Sequence, residues 1–238
     1  MHGGLQQNAT LLNRLVSGLP DVGCEVLVCV PFPYLSQVAQ CLKATPLSWG
    51  AQNVSEHAAG AYTGEVAAAM LAEFGCGYVL VGHSERRTLY GESDAVVAAK
   101  CRAVLAAGMR PVLCVGETLA ERRDGLTQAV VVRQLSVVLE LLGVAAFARV
   151  VVAYEPVWAI GTGLTASPEQ AEEVHAAIRA LVAGFDPVVA EGLRILYGGS
   201  VKPQSALELF AQPNIDGGLI GGAALVADDF LAICRAAS

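Results

Sequence analysis

Residues 150–182 read VVVAYEPVWAIGTGLTASPEQAEEVHAAIRALV. The apolar run Val150–Tyr154 has the length and β-branched content of a strand buried on both faces. Glu155 follows it, and then an apolar loop, Pro156–Ile160, bounded by Pro156 on one side and by Gly161 and Gly163 on the other. Ser167 before Pro168 is a helix-start signal: the hydroxyl can cap the first backbone N–H groups, and proline's fixed φ suits the first helical position. The pattern predicts a helix over Pro168–Val182. Strand, loop and helix together take about 30 residues, the length of one βα crossover unit.

Working outward, the same unit recurs. Strand-like runs are Cys24–Val30, Leu47–Ala51, Tyr78–Val81, Pro111–Val115, Leu193–Tyr197 and Gly217–Ile220, and helix-like segments follow them at Tyr34–Leu42, Gly64–Phe74, Ser93–Ala107, Thr127–Leu142, Pro203–Phe210 and Asp228–Ala236. Ahead of the first strand, Leu5, Leu12, Leu15, Val16 and Leu19 recur at helical spacing over Leu5–Leu19. The reading is therefore one helix and then seven strand–helix units. That predicts an α/β fold, a (β/α)8 barrel of one domain over residues 1–238 whose first β-strand is missing, with a doubly wound open sheet as the alternative.

Composition narrows the function. The chain has 238 residues, 54% hydrophobic and only 16% charged, with a net charge of −7. Such a chain buries a large core, and no basic run offers itself to nucleic acid. No apolar run reaches about 18 residues, so no membrane span is expected. The seven cysteines, at 24, 29, 41, 76, 101, 114 and 234, include no Cys-x-x-Cys pair and are odd in number. They read as unpaired thiols of a cytoplasmic protein. No His, Cys or Asp spacing suggests a metal, and no G-x-G-x-x-G follows a strand, so no cofactor is expected. His57 and His175 read as surface or helix residues.

In parallel barrels, chemistry sits where strands end. The strand run Tyr78–Val81 passes through Gly82 into His83-Ser84-Glu85-Arg86-Arg87. A helix start there disfavours a charged imidazole, so His83 is a candidate neutral hydrogen-bond donor. Glu85 and Glu92 are candidate partners for Arg86 and Arg87. Glu155 is a candidate general base, and the apolar loop after it is a candidate water-excluding lid. The last two strand runs end in Gly198-Gly199-Ser200 and Gly221-Gly222. Glycines let backbone N–H groups approach a phosphate closely, and barrel phosphate sites form at these two strand ends.

These motifs, with Ala51-Gln52-Asn53-Val54, Gly60–Glu65 and Val112–Glu117, resemble the triosephosphate isomerase family in order and over essentially the whole chain. The resemblance implies a TIM barrel that interconverts dihydroxyacetone phosphate and D-glyceraldehyde 3-phosphate, a step of glycolysis and gluconeogenesis, without cofactor. It implies that Glu155 moves the carbon-bound proton, that neutral His83 polarises the carbonyl, and that Gly161, Ser200, Gly221 and Gly222 hold the phosphate. It further implies that Ile160 and Leu219 pack near the base, that Glu85 supports the site, and that Arg86 pairs with Glu92. Residues 52–65 resemble a loop that docks into a second copy, with Thr63 reaching the partner's site, which implies a homodimer.

Family members begin with a short strand ending Asn-x-Lys, and Met1-His2-Gly3 corresponds to the residues just after that strand. The resemblance therefore implies that the strand and its lysine are missing. Losing one preorganised cationic donor would cost about 3–4 kcal/mol of transition-state stabilisation. The alternative reading is a non-catalytic or severely impaired phosphate-binding barrel.

Overall fold

The computed structural model describes residues 1–19, 22–160 and 165–237. Its sheet is parallel throughout and follows chain order: β1 (Leu27–Val30), β2 (Ser48–Ala51), β3 (Tyr78–Val81), β4 (Arg110–Val115), β5 (Val151–Tyr154) and β6 (Arg194–Tyr197). Each pair is in the uniform register of a curling barrel wall, as in Val112↔Val151 and Val152↔Ile195. The sheet expected here is met; the doubly wound alternative would have required a strand order that reverses.

The seventh strand run is reduced to one bridge, Tyr197↔Gly218. Its two glycines, Gly217 and Gly218, leave little side chain for a ladder to pack, and Gly217 has φ 147°, outside strand geometry for any other residue. Among the described residues no strand joins Gly218 to β1.

Helix α1 (Leu5–Gly18) packs between α2 (Leu35–Leu42) and α11 (Ala227–Ala236), where Leu12 and Leu15 share a buried cluster with Val38, Leu42 and Phe230. The other long helices are α5 (Asp94–Ala106), α7 (Thr127–Leu142) and α8 (Pro168–Ala183), with α10 (Pro203–Phe210) after β6. The capping signal at Ser167 operates, in a reciprocal box with Gln170 ahead of Pro168, and the structure adds a cap at Ser93, which accepts from Val96 N–H. Each such cap is worth about 1 kcal/mol. The helix expected from Gly64 starts only at α3 (Ala68–Glu73), because Gly64 takes φ 93° in an exposed loop. Short helices α4 (Ser84–Tyr90), α6 (Leu119–Arg123) and α9 (Pro187–Gly192) sit in connections that carried no helical period.

Two-sided burial explains the apolar strands. Val79, Val81, Leu113, Val115, Val152, Tyr154 and Ile195 face the helices. The alternate residues Tyr78, Leu80, Val112, Cys114, Val151 and Ala153 fill the barrel interior. Strand side chains alternate faces, so the inward series Val151, Ala153 continues to Glu155, one residue past the strand end. The parity of the strand thus aims the glutamate at the barrel axis.

Among the cysteines, Cys76, Cys101, Cys114 and Cys234 are buried, Cys24 and Cys29 half-buried, and Cys41, near the end of α2, exposed. His175 is no surface residue: it is 0% exposed on α8, with its ring against both Tyr154 and Tyr197. Burial pushes its pKa down to about 4. No helix among the described residues is long and apolar enough to cross a membrane.

Candidate active site

Two strand ends bring the first pair of residues together. β3 stops at Val81, and Gly82, at φ 72°, turns the chain sharply into α4. His83 becomes the N-cap of that helix, with Nδ1 accepting the Glu85 N–H at 3.2 Å. Nε2 then lies 2.8 Å from Glu155 Oε1. The other carboxylate oxygen, Oε2, accepts from Ser84 N–H at 2.9 Å. Glu155 is 2% exposed, so its charge is held by a helix-terminal N–H and an imidazole rather than by water.

The electrostatics of His83 differ from the neutral ring expected of a helix terminus alone. Burial, the largest single influence, pulls its pKa down. The hydrogen bond and charge of Glu155, with the charge of Glu85, outweigh it and hold the pKa above the ordinary value. The physical reason is proximity: a carboxylate against Nε2 rewards the proton there. The Glu85 N–H works the other way, since Nδ1 can accept it only when it carries no proton. Glu85 serves the ring through its backbone, while its carboxylate stands 3.9 Å away and mostly exposed.

Arg86 pairs with Glu92 at 2.6 Å as expected. Glu92 also takes Lys100 Nζ, and Lys100 reaches Asn53 Oδ1 at 2.8 Å. This buried chain ties α4 and α5 to the base of loop 52–65. Burial pushes the Glu92 carboxyl up, but the two cations prevail and hold it below the usual range. Arg87 takes neither expected glutamate. It bonds Asp94 at 2.6 Å, Gly82 O at 2.8 Å and Cys114 O at 3.2 Å, which clamps the ends of β3 and β4.

A second cluster lies under the apolar loop and was not expected from the sequence. Glu117, two residues past β4, is 0% exposed. It accepts from Tyr154 OH, from Trp158 Nε1 at 2.9 Å and from Arg122 NH1 at 3.3 Å. Arg122 stacks over the Trp158 ring at 4.5 Å. The Glu117 carbonyl accepts Val157 N–H at 3.1 Å, so both backbone and side chain of Glu117 seat the loop's first residues. The only sequence signal was an acid just past an apolar strand run, Pro111–Val115. A cavity of about 350 Å³ opens beside Glu155, lined by Ser84, Arg87, Gly116 and Val157 among others.

The third group stands at the ends of β6 and the Gly218 segment. Gly198 N–H donates to Tyr154 O at 2.7 Å, and a Cβ at Gly198 would lie 2.9 Å from Glu155 Cγ, so this turn abuts the glutamate directly. Ser200 is next, half-buried. Gly221 and Gly222 open a short 3-10 turn, Gly222–Leu225, and are exposed. Leu219 lines the barrel interior, its N–H bonded to Tyr197 O at 2.9 Å. Ile160 closes the turn after Ala159 through Val157 O. Gly161 lies outside the described residues. Thr63 is exposed in loop 52–65, whose base is closed by Ser55 N–H to Val66 O and whose tip carries His57 stacked on Tyr62. Among the described residues no three His, Cys, Asp or Glu side chains group as metal ligands would.

The geometry is one of a buried carboxylate facing an imidazole, beside a rim of exposed backbone glycines. Sequence comparison agrees on what such chains are called. Residues 1–237 match the family described as triosephosphate isomerase. A triosephosphate isomerase from Dechloromonas aromatica is 71% identical over all 238 residues, which cover 96% of that relative. One from Thiobacillus denitrificans is 65% identical over the whole chain and 95% of its own length. One from Bordetella pertussis is 61% identical over 236 residues, 99% of this chain and 94% of the relative.

Proposed function

We propose a reaction and a division of labour for this chain, which belongs to the triosephosphate isomerase family. The chain is an isomerase that interconverts dihydroxyacetone phosphate and D-glyceraldehyde 3-phosphate by proton transfer through an enediolate. Identities of 61–71% over nearly all of the chain favour this over a non-catalytic phosphate-binding barrel.

The observation that carries the assignment of roles is the Glu155–His83 pair at 2.8 Å. Both groups face the barrel mouth and each other, so substrate enters by parting them. Glu155 then faces the carbon, takes its proton and returns it to the neighbouring carbon. His83 turns its Nε2–H to the carbonyl oxygen. Once the carboxylate has left Nε2, burial is the dominant influence on the ring and favours the neutral form. A neutral imidazole can donate to one enediolate oxygen and accept from the other. The backbone N–H groups of Gly161, Ser200, Gly221 and Gly222 receive the phosphate, and Pro156–Gly163 covers the intermediate.

Solvent exchange tests this. In deuterium oxide the product acquires deuterium at the carbon that Glu155 protonates. Product formed with full retention of the original hydrogen would exclude a base that exchanges with solvent.

The finer architecture belongs to the same proposal. One domain covers residues 1–238, and the interval between β1 and the Gly218 segment, inside α1, is the place of a strand that ends in Asn-x-Lys and completes the TIM barrel. The chain pairs as a homodimer through loop 52–65, with Thr63 toward the partner's site. Support comes from Tyr62 exposed on that loop and from Leu89 and Tyr90, 71% and 67% exposed on the adjoining α4. Sedimentation of the purified chain at twice the monomer mass is the expected result. Seven cysteines without a disulfide fit the cytoplasm, where glycolysis runs.

A further inference from the structure

Helix α7 buries Val130, Val131, Leu135, Val138 and Leu139, and in the middle of this apolar stripe sits Gln134, 5% exposed. A polar side chain there is costly unless both ends of its amide are satisfied. Both are, and by one residue. Oε1 accepts Gly116 N–H at 2.8 Å and Nε2 donates to Gly116 O at 3.2 Å. The side-chain amide therefore grips a single peptide position as a neighbouring strand would.

Gly116 is where that grip matters. A Cβ on it would lie 1.8 Å from the Glu155 carbonyl oxygen, so its backbone rests directly on the backbone of the glutamate. On one side of it Val115 O accepts Glu155 N–H at 2.7 Å, and on the other Glu117 seats Val157 and Trp158. Fixing Gly116 in two directions fixes the surface on which Glu155 and the start of the apolar loop stand.

We propose that Gln134 is a positioning residue for the isomerisation, holding Gly116 so that Glu155 reprotonates the enediolate before its phosphate is lost. The proposal rests on the isomerase reading. The enediolate has two fates. It takes a proton from Glu155 on carbon, or its C–O bond to phosphate breaks, inorganic phosphate leaves with the bonding pair, and the remaining enol tautomerises to methylglyoxal. A displaced base slows the first without slowing the second.

The ratio of methylglyoxal formed above the enzyme-free background to triose phosphate isomerised is therefore the readout, and it does not depend on how much enzyme is folded. For Gln134→Met the ratio should rise about three- to tenfold, the worth of a hydrogen bond. For Gln134→Glu it should depend on pH. The neutral carboxyl keeps the shape and both bonds, with C=O accepting from Gly116 N–H and O–H donating to Gly116 O. The ionised form has no donor for Gly116 O. The ratio in that variant should lie near the parent enzyme's in acid and climb with pH, while the parent's stays flat. This variant decides the question if Gln134→Met does not yield folded protein. A ratio equal to the parent's in Gln134→Met, or one independent of pH in Gln134→Glu, overturns the proposal. A parent enzyme that does not interconvert the trioses overturns the isomerase reading instead, and the proposal with it.

Discussion

On the β3–β5 side of the site, charged side chains are held by other groups. Glu155, His83, Glu117 and Arg87 each have at least two hydrogen-bonding partners among the described residues. On the β6 side the wall is largely backbone. At Gly221 and Gly222 an added Cβ would meet nothing within 4 Å. Each construction fits its task. Proton transfer needs groups whose protonation is set by neighbours, which calls for burial and close partners. An anion needs several N–H groups within reach, which calls for bare backbone and an open approach. His175 stands behind the joint between the halves, against Tyr154 at the end of β5 and Tyr197 at the end of β6.

Substitution should separate the halves, and the largest effect belongs to the crowded one. Glu155→Gln should lower kcat by roughly 10²- to 10⁴-fold, the scale of general acid–base catalysis, with affinity for inorganic phosphate little changed. The same change removes the charge that raises His83, so the His83 imidazole resonances should titrate at lower pH than in the parent chain. A near-normal kcat would dissolve the distinction.

The joint comes next. Folded His175 takes a proton only near pH 4, whereas the unfolded chain takes it up near 6.5. The unfolded state binds more protons between those values, so this contribution is complete above pH 6.5 and is lost as pH falls through 4. It amounts to roughly 3 kcal/mol. Urea unfolding at successive pH values should show that loss in the parent chain and its absence in His175→Gln.

The open half should respond in binding alone. Gly221→Val has room for its side chain. It should leave unfolding free energy within about 0.5 kcal/mol of the parent while weakening phosphate by about ten- to a hundredfold, the worth of a hydrogen bond to a charged group. Calorimetry with inorganic phosphate checks it, and unchanged affinity would mean the phosphate does not approach Gly221. The smallest change is Tyr154→Phe, which takes one donor from Glu117 and should cost about 1–2 kcal/mol of stability in urea titration.

The sequence was legible wherever one residue's surroundings are decided nearby. Strands such as Tyr78–Val81 and Val151–Tyr154 declare themselves because both faces are buried, and α8 because Ser167 and Pro168 begin it. Position just past a strand end also put Glu155 and His83 at the mouth. The features that escaped depend on distant groups or on short pieces. α4 is seven residues long and capped by a histidine, a weak signal in any chain. Gly217–Ile220 reads as a strand by residue type, yet φ at Gly217 breaks it. The Glu117 cluster joins residues 37 and 41 positions apart, and no local pattern marks it. The raised pKa of His83 needed the actual distance to Glu155, since the helix terminus by itself argued the reverse.

The single exposed cysteine has a practical meaning for anyone who wants to hang this molecule on a sensor chip. Cys41 sits near the C-terminal end of α2, and a helix that comes after a parallel strand runs back down the barrel, so its end lies at the face opposite the mouth. A maleimide tether there would leave the reactive rim facing the liquid. Coupling through amines would do the opposite at one position. Lys202, exposed at the N-cap of α10, stands two residues from Ser200, and a linker fixed to it would crowd the very turn expected to receive phosphate.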